Sequence, residues 1–145
     1  MIVVKYIDDI ELDTVLKFGL KFPEIQVTDD EPFATWYYLS SIWKNGVILA
    51  ALDDKDEHIV GFIAAQYGTD RTACLVFLAV DDQYRRKGVA TKLYDACIQW
   101  LKSDGILSVN CFAHIDPDQD SDIVKFLTGK GFMPGRQFVW MDKTI

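Results

Sequence analysis

The chain has 145 residues, 50% of them apolar and 26% charged, enough apolar material for a packed core and too much for a disordered chain. Its formal charge of -7 argues against broad electrostatic binding to nucleic acid or acidic membranes, which needs a basic face, and leans towards a cationic partner. No apolar run approaches the roughly 20 residues that a helical membrane span requires, and the first residues lack the basic start and apolar stretch of a secretory leader. The expectation is a soluble, cytoplasmic, single domain over residues 1–145.

In chain order, Met1 to Ile7 is short and β-branched and predicts an edge strand. Asp8 or Asp9 then caps a helix carrying Leu12, Val15, Leu16 and Leu20 on one stripe, stopped at Pro23. Asp29-Asp30-Glu31-Pro32 starts a second helix, which runs through Trp36, Leu39 and Trp43 and closes at Asn45-Gly46. Val47 to Leu52 and His58 to Tyr67 predict two strands joined by the polar turn from Asp53 to Glu57. Thr72 to Val80, apolar nearly throughout, predicts a central strand. A loop then leads to a helix with Ala90, Leu93, Tyr94, Cys97, Ile98 and Leu101 at helical spacing, ended by Gly105. Ile106 to Ala113 predicts a strand, Ser121 to Lys130 a short helix, and Arg136 to Asp142 the last strand. The pattern is that of an α/β domain, an α+β mixed sheet. Cys74, Cys97 and Cys111 are odd in number, widely spaced and set in apolar stretches, which suits buried free thiols. No Cys-x-x-Cys pair or His-rich cluster suggests a metal site.

The chemistry concentrates in Arg85-Arg86-Lys87-Gly88-Val89-Ala90, between the central strand and its helix. The first turn of a helix has unpaired N–H groups and partial positive charge. Gly88 lets a ligand approach the backbone, small Ala90 leaves room, and three consecutive cations add charge in an acidic chain. A diphosphate suits such a cradle. The pattern is neither a Walker-type loop nor Gly-x-Gly-x-x-Gly.

These residues resemble the Gln/Arg-x-x-Gly-x-Gly/Ala signature of the GNAT N-acetyltransferase superfamily, met here by Arg85, Gly88 and Ala90. The turn and strand from Asp53 to Gly61 resemble the family's central hairpin, and Ile123 to Phe132, ending Lys-Gly-Phe, its last conserved helix. The resemblance runs along nearly the whole chain. It implies a mostly antiparallel central sheet, flanked by helices, whose parallel fourth and fifth strands splay apart. It also implies acetyl-coenzyme A as acyl donor, its pantetheine arm pairing with Leu78, Ala79 and Val80. Arg85, Arg86, Lys87, Gly88, Val89, Ala90 and Thr91 would hold the pyrophosphate, with Phe126 as a further cofactor contact. The expected reaction is N-acetylation of a primary amine, on a small molecule or peptide, by direct attack. Dimers are common in the superfamily, so a homodimer is a further expectation.

Three positions depart from the family pattern. The Glu that members often carry eleven residues before the first signature residue is Cys74, and the Tyr four residues before the Gly of Gly-Phe is Leu127. The Asn that often opens the last helix aligns with Asp120. An acceptor ammonium must still lose a proton. His114 and Tyr37 are the foremost candidates for that work, with His58, Asp116, Tyr38 and Tyr67 behind them. The departures also motivate an alternative, a coenzyme-A-binding regulatory module with weak or no transferase activity.

Overall fold

The structure, a computed structural model, describes residues 1–8, 11–19, 36–55, 57–111, 122–133, 135, 141 and 143–144. The chain divides into two compact units, residues 1–112 and 113–145.

The first unit runs β1 (Ile2–Tyr6), α1 (Leu12–Gly19), α2 (Trp36–Lys44), β2 (Gly46–Asp53), β3 (Ile59–Tyr67), β4 (Thr72–Val80), a 3-10 turn (Asp82–Tyr84), α3 (Val89–Ser103) and β5 (Ser108–Cys111). The five strands form one sheet in chain order. The β1–β2, β2–β3 and β3–β4 pairs are antiparallel, and β4–β5 is parallel. The expected mixed sheet with a parallel fourth and fifth strand is therefore present. In the second unit, α4 (Asp122–Gly129) ends with Phe132 N–H on Leu127 O at 3.0 Å. The second helix start at Asp29 and the last strand from Arg136 fall outside the described residues.

Strand alternation sorts the core into two layers. Ile48, Ala50, Phe62 and Ala64 share one cluster with Leu12, Val15 and Phe18 of α1 and Leu39 and Ile42 of α2. The opposite face of the sheet is covered by α3, which buries Val89, Leu93, Cys97 and Leu101. The α1 stripe is held at its start by Asp8, whose Oδ1 accepts from Glu11 N–H at 3.3 Å. Of the residues expected along α2, Leu39 is fully buried, joined in the core by Ile42, and Trp43 is half-buried against it and donates its indole N–H to Ile7 O at 2.9 Å, while the side chain of Trp36 lies outside the described residues. An indole needs such an acceptor when it leaves water.

The strand predicted from Ile106 begins later because the preceding helix uses its backbone. Gly105, at φ 81°, lets α3 close with Gly105 N–H on Lys102 O at 3.1 Å and Ile106 N–H on Leu101 O at 2.9 Å. That pair of bonds is the Schellman ending, and it commits Ile106 before β5 can start.

Two features of β4 bear on the site. Ala65 pairs with Leu75 but Ala64 pairs with Phe77, so Val76 is an extra residue with no partner on β3. Among the described residues, Leu75 is also the last of β4 paired with β5, opposite Cys111. A bulge bends its strand and raises the local twist. Here the bend falls next to that pair. Among the described residues, Val76–Val80 has no partner on its β5 side.

No helix among the described residues is long and apolar enough to cross a membrane. Where α3 crosses β3, a Cβ added at Gly61 would lie 2.9 Å from Ala79 O and 3.2 Å from Leu93 Cδ1. Gly61→Val should accordingly cost about 1–3 kcal/mol by overpacking, read as a lower urea midpoint. An unchanged midpoint would mean that α3 does not rest on this glycine.

Candidate functional site

The site is built from the second half of β4, Val76–Val80, and the loop after it. Asp81 N–H donates to Val60 O at 2.8 Å, so the backbone of Asp81 faces β3. In an antiparallel ladder successive residues face opposite sides. Ala79, opposite Phe62, thus spends its backbone groups on β3, and Leu78 and Val80 turn theirs towards the opposite edge, where no strand partner lies among the described residues. Of the three residues expected to pair with pantetheine, two have the orientation for it and Ala79 does not.

The loop is folded by its own polar groups. Asp81 accepts at its side chain from Gln83 N–H at 3.0 Å and at its carbonyl from Tyr84 N–H at 2.8 Å. Arg85 donates from Nε to Val80 O at 3.2 Å and pairs through Nη1 with Asp82 Oδ1 at 3.1 Å. The first signature residue is therefore a clamp between loop and strand. Arg86 and Lys87, both exposed, carry the charge nearest the helix start. Tyr84 is a site residue that the sequence pattern does not single out. Its hydroxyl donates to Asp53 Oδ2 at 2.9 Å on the β2–β3 turn and lies 3.4 Å from His58 Nε2, while Lys87 Nζ stands 5.5 Å above its ring. No local motif links Asp53 to Tyr84, so the pattern of residues carries no signal of the bond.

Beyond Arg85 the backbone turns left-handed twice, at Arg86 (φ 61°) and at Gly88 (φ 80°). Gly88 is the N-cap of α3 and supplies no side-chain acceptor, whereas Ser, Thr or Asp there would cover the first N–H groups. A Cβ built at Gly88 would touch nothing within 4 Å. The glycine serves the φ value, and no neighbouring protein atom crowds it. The first helical bond of α3 comes from Lys92 N–H to Gly88 O at 3.0 Å. Among the described residues, no backbone acceptor takes the N–H groups of Arg86, Lys87, Gly88, Val89, Ala90 or Thr91. These donors lie at an uncapped helix start, a natural place for an anion.

The candidate proton-transfer groups are distributed over both ends of the sheet. Cys74, at the position where the family signature often has Glu, is half-buried, and burial with the nearby Cys111 pushes its thiol up. It is thus a protonated thiol near neutral pH and no base. Tyr67 pairs with Ala73, at the opposite end of β4 from Val80 and about 20 Å of strand away. Its hydroxyl bonds Asp104, and burial first, then that bond, pushes its pKa up to about 12. His58 faces Tyr84 beside the loop, with ring centroids 5.8 Å apart. His114 and Asp116 lie outside the described residues, as do the side chains of Tyr37 and Tyr38. In the second unit, Leu127 is buried and Phe126 has Lys130 Nζ 5.5 Å above its ring.

A thiol attacks only as its thiolate. Burial raises Cys111 as well and pushes Cys97 up to about 12, so none of the three ionises early as pH rises. Iodoacetamide at pH 8 should alkylate the native protein slowly at every cysteine, slowest at Cys97, and rapidly only in urea. Fast native alkylation of Cys74 would contradict this environment and return it as a candidate base.

The model of the acetyltransferase (GNAT) family matches residues 16–132. The chain is similar to a GNAT acetyltransferase from Staphylococcus aureus Mu50, with a TM-score of 0.77 at 20% identity over 99% of this chain and 95% of that one. It is similar to AAC(6')-Iy in complex with the bisubstrate analog CoA-S-monomethyl-acetylneamine, with a TM-score of 0.76 at 15% identity over 100% of this chain and 99% of that one. A third likeness is to the aminoglycoside antibiotic 6'-N-acetyltransferase AAC(6')-Ih from Acinetobacter baumannii, with a TM-score of 0.72 at 19% identity over 100% and 99% of the two chains. Identities this low bear on the fold alone. No curated protein gives a sequence match.

Proposed function

The chain belongs to the GNAT acetyltransferase family, a family of acyltransferases that use acetyl-coenzyme A, and on that premise we propose that it transfers acetyl from acetyl-coenzyme A to a primary amine by direct attack. The observation that carries the reading is the run of N–H groups from Arg86 to Thr91, which follows a stretch of β4, Val76–Val80, that has no partner on its β5 side among the described residues. When bound, acetyl-coenzyme A supplies a thioester, an acetyl group already activated for transfer. Leu78 and Val80 offer backbone groups to the pantetheine amides. The N–H groups of the loop and first turn take the pyrophosphate, and Arg86 and Lys87 add charge. A backbone N–H on the free stretch of β4 stabilises charge developing on the thioester carbonyl oxygen. Positioning supplies much of the rest. We take residues 1–145 as one acetyltransferase domain, because the family match crosses the division between the two units.

Proton removal from the acceptor falls to water or to His114 or Tyr37, since Cys74 is held protonated and Tyr67 sits at the far end of β4. The net charge of -7 suits a cationic acceptor. Polyamines and aminoglycosides are such acceptors, and the latter agrees with the aminoglycoside acetyltransferase among the similar structures. A second reading, a coenzyme-A-binding regulatory module, is favoured by Cys74 and Leu127 standing where a base and an acid are common in the family.

A thermal melt with acetyl-coenzyme A, coenzyme A and ATP in parallel tests the donor site. Ligand at 100 times its Kd stabilises by about 2.7 kcal/mol, which for this size raises the midpoint by roughly 5–11 °C. Both coenzyme A species should shift the melt and ATP should not. Gly88→Val and Arg86→Glu should weaken coenzyme A binding in calorimetry while leaving the protein folded. Thiol release with a panel of amines then separates the two readings: turnover supports the transferase, and silence across the panel with coenzyme A still bound supports the regulatory module. Unchanged coenzyme A affinity in both variants would overturn the assignment of the site.

A further inference from the structure

Resting on the reading of Arg86–Thr91 as the phosphate cradle, we propose that Tyr84 is a positioning residue for coenzyme A, and that with Asp53 it makes the β2–β3 turn part of the cofactor site. The loop needs an external anchor. It passes through Arg86 at φ 61°, a left-handed conformation that a non-glycine residue keeps only where the surroundings hold it. Arg85 supplies one anchor, to Val80 O on β4. Tyr84, the residue just before it, supplies the other.

The anchor point is itself rigid. Asp53 ends β2, and its N–H donates to His58 O at 3.1 Å across the turn. Its carbonyl accepts from Glu57 N–H at 2.8 Å, and its Oδ1 accepts from Lys55 N–H at 3.1 Å. That leaves Oδ2 aimed at Tyr84, whose hydroxyl donates to it at 2.9 Å. The Lys55 N–H first, then the Tyr84 hydroxyl, hold the Asp53 carboxyl below its ordinary value, so the acceptor is an ionised one and the bond is charge-assisted. His58 closes the other side, its ring edge-on to the phenol.

The ring so fixed does a second thing. Lys87 Nζ stands 5.5 Å above its centroid, inside the range of a cation–π attraction. A lysine on an open loop otherwise sweeps a wide volume on its flexible stem. Held over Tyr84, its ammonium has a fixed place on the residue that immediately precedes Gly88, the N-cap of α3. The chain of positions is thus Asp53 to Tyr84 hydroxyl, Tyr84 ring to Lys87, and Lys87 to the phosphates.

Three variants test it, with coenzyme A binding followed by calorimetry well below each variant's melting temperature. Tyr84→Phe removes the hydroxyl and keeps the ring under Lys87. Losing one hydrogen bond should weaken binding about 2- to 12-fold. Asp53→Asn should weaken it similarly, and the double variant should be no worse than the poorer single, because both changes cut the same link. Tyr84→Leu, which also removes the ring, should weaken binding more than Tyr84→Phe and flatten its salt dependence. Where an amine is turned over, the loss should fall on KM for acetyl-coenzyme A and not on kcat. A purely structural role would lower the melting temperature of Tyr84→Phe and leave its Kd at low temperature, and the KM-to-kcat split, unmoved. That result, with the unaltered chain still binding coenzyme A, overturns the role of Tyr84 and leaves the cradle standing. No coenzyme A binding by the unaltered chain overturns both.

Discussion

The rest of the site depends on one backbone constraint, the bulge that Val76 makes in β4 against β3. Val76, inserted without a partner on β3, bends the strand there. Downstream of it, the donors and acceptors of Leu78 and Val80 have no strand to satisfy them among the described residues. Val80 O is covered by the Arg85 side chain. Among the described residues the others are available to an extended, amide-bearing ligand, which adds to a sheet edge as a strand does.

The same economy governs the loop. Its donors are main-chain N–H groups, exposed because the N-cap is a glycine with no side chain to cover them. Side chains act on this arrangement chiefly from behind, Arg85 tying the loop to β4 and Tyr84 tying it to the β2–β3 turn. A site made of backbone tolerates wide change in side chains so long as the turns keep their geometry. That tolerance fits structures that superpose closely at 15% to 20% identity.

Much of this is legible in the residue pattern. The helical spacing of Leu93, Cys97 and Leu101 places α3, and the β-branched runs on either side of Asp53–Glu57 place the hairpin, because burial on one face leaves a periodic trace. The bulge leaves none: Leu75 to Val80 is apolar at every position, so an extra residue breaks no visible alternation. Arg85 reads as a phosphate ligand, since charge and spacing say nothing of a guanidinium turned back on a carbonyl. His58 and Tyr67 qualify as proton carriers by residue type, and only register sends one to the turn beside the loop and the other to the far end of β4. Tyr84 and Asp53 are thirty-one residues apart, and nothing local announces a bond that the sheet alone brings about.

The central claim is that one continuous stretch of backbone, the end of β4 from Leu78 to Val80 and the turn into α3, receives coenzyme A. An amide-resolved NMR titration of the protein with coenzyme A tests it most directly. The account predicts that the largest shifts fall on Leu78, Val80 and Arg86 through Thr91, with Ala79 shifted less than the residues on either side of it. Binding with shifts concentrated elsewhere, or no change at these amides at saturating coenzyme A, would contradict it.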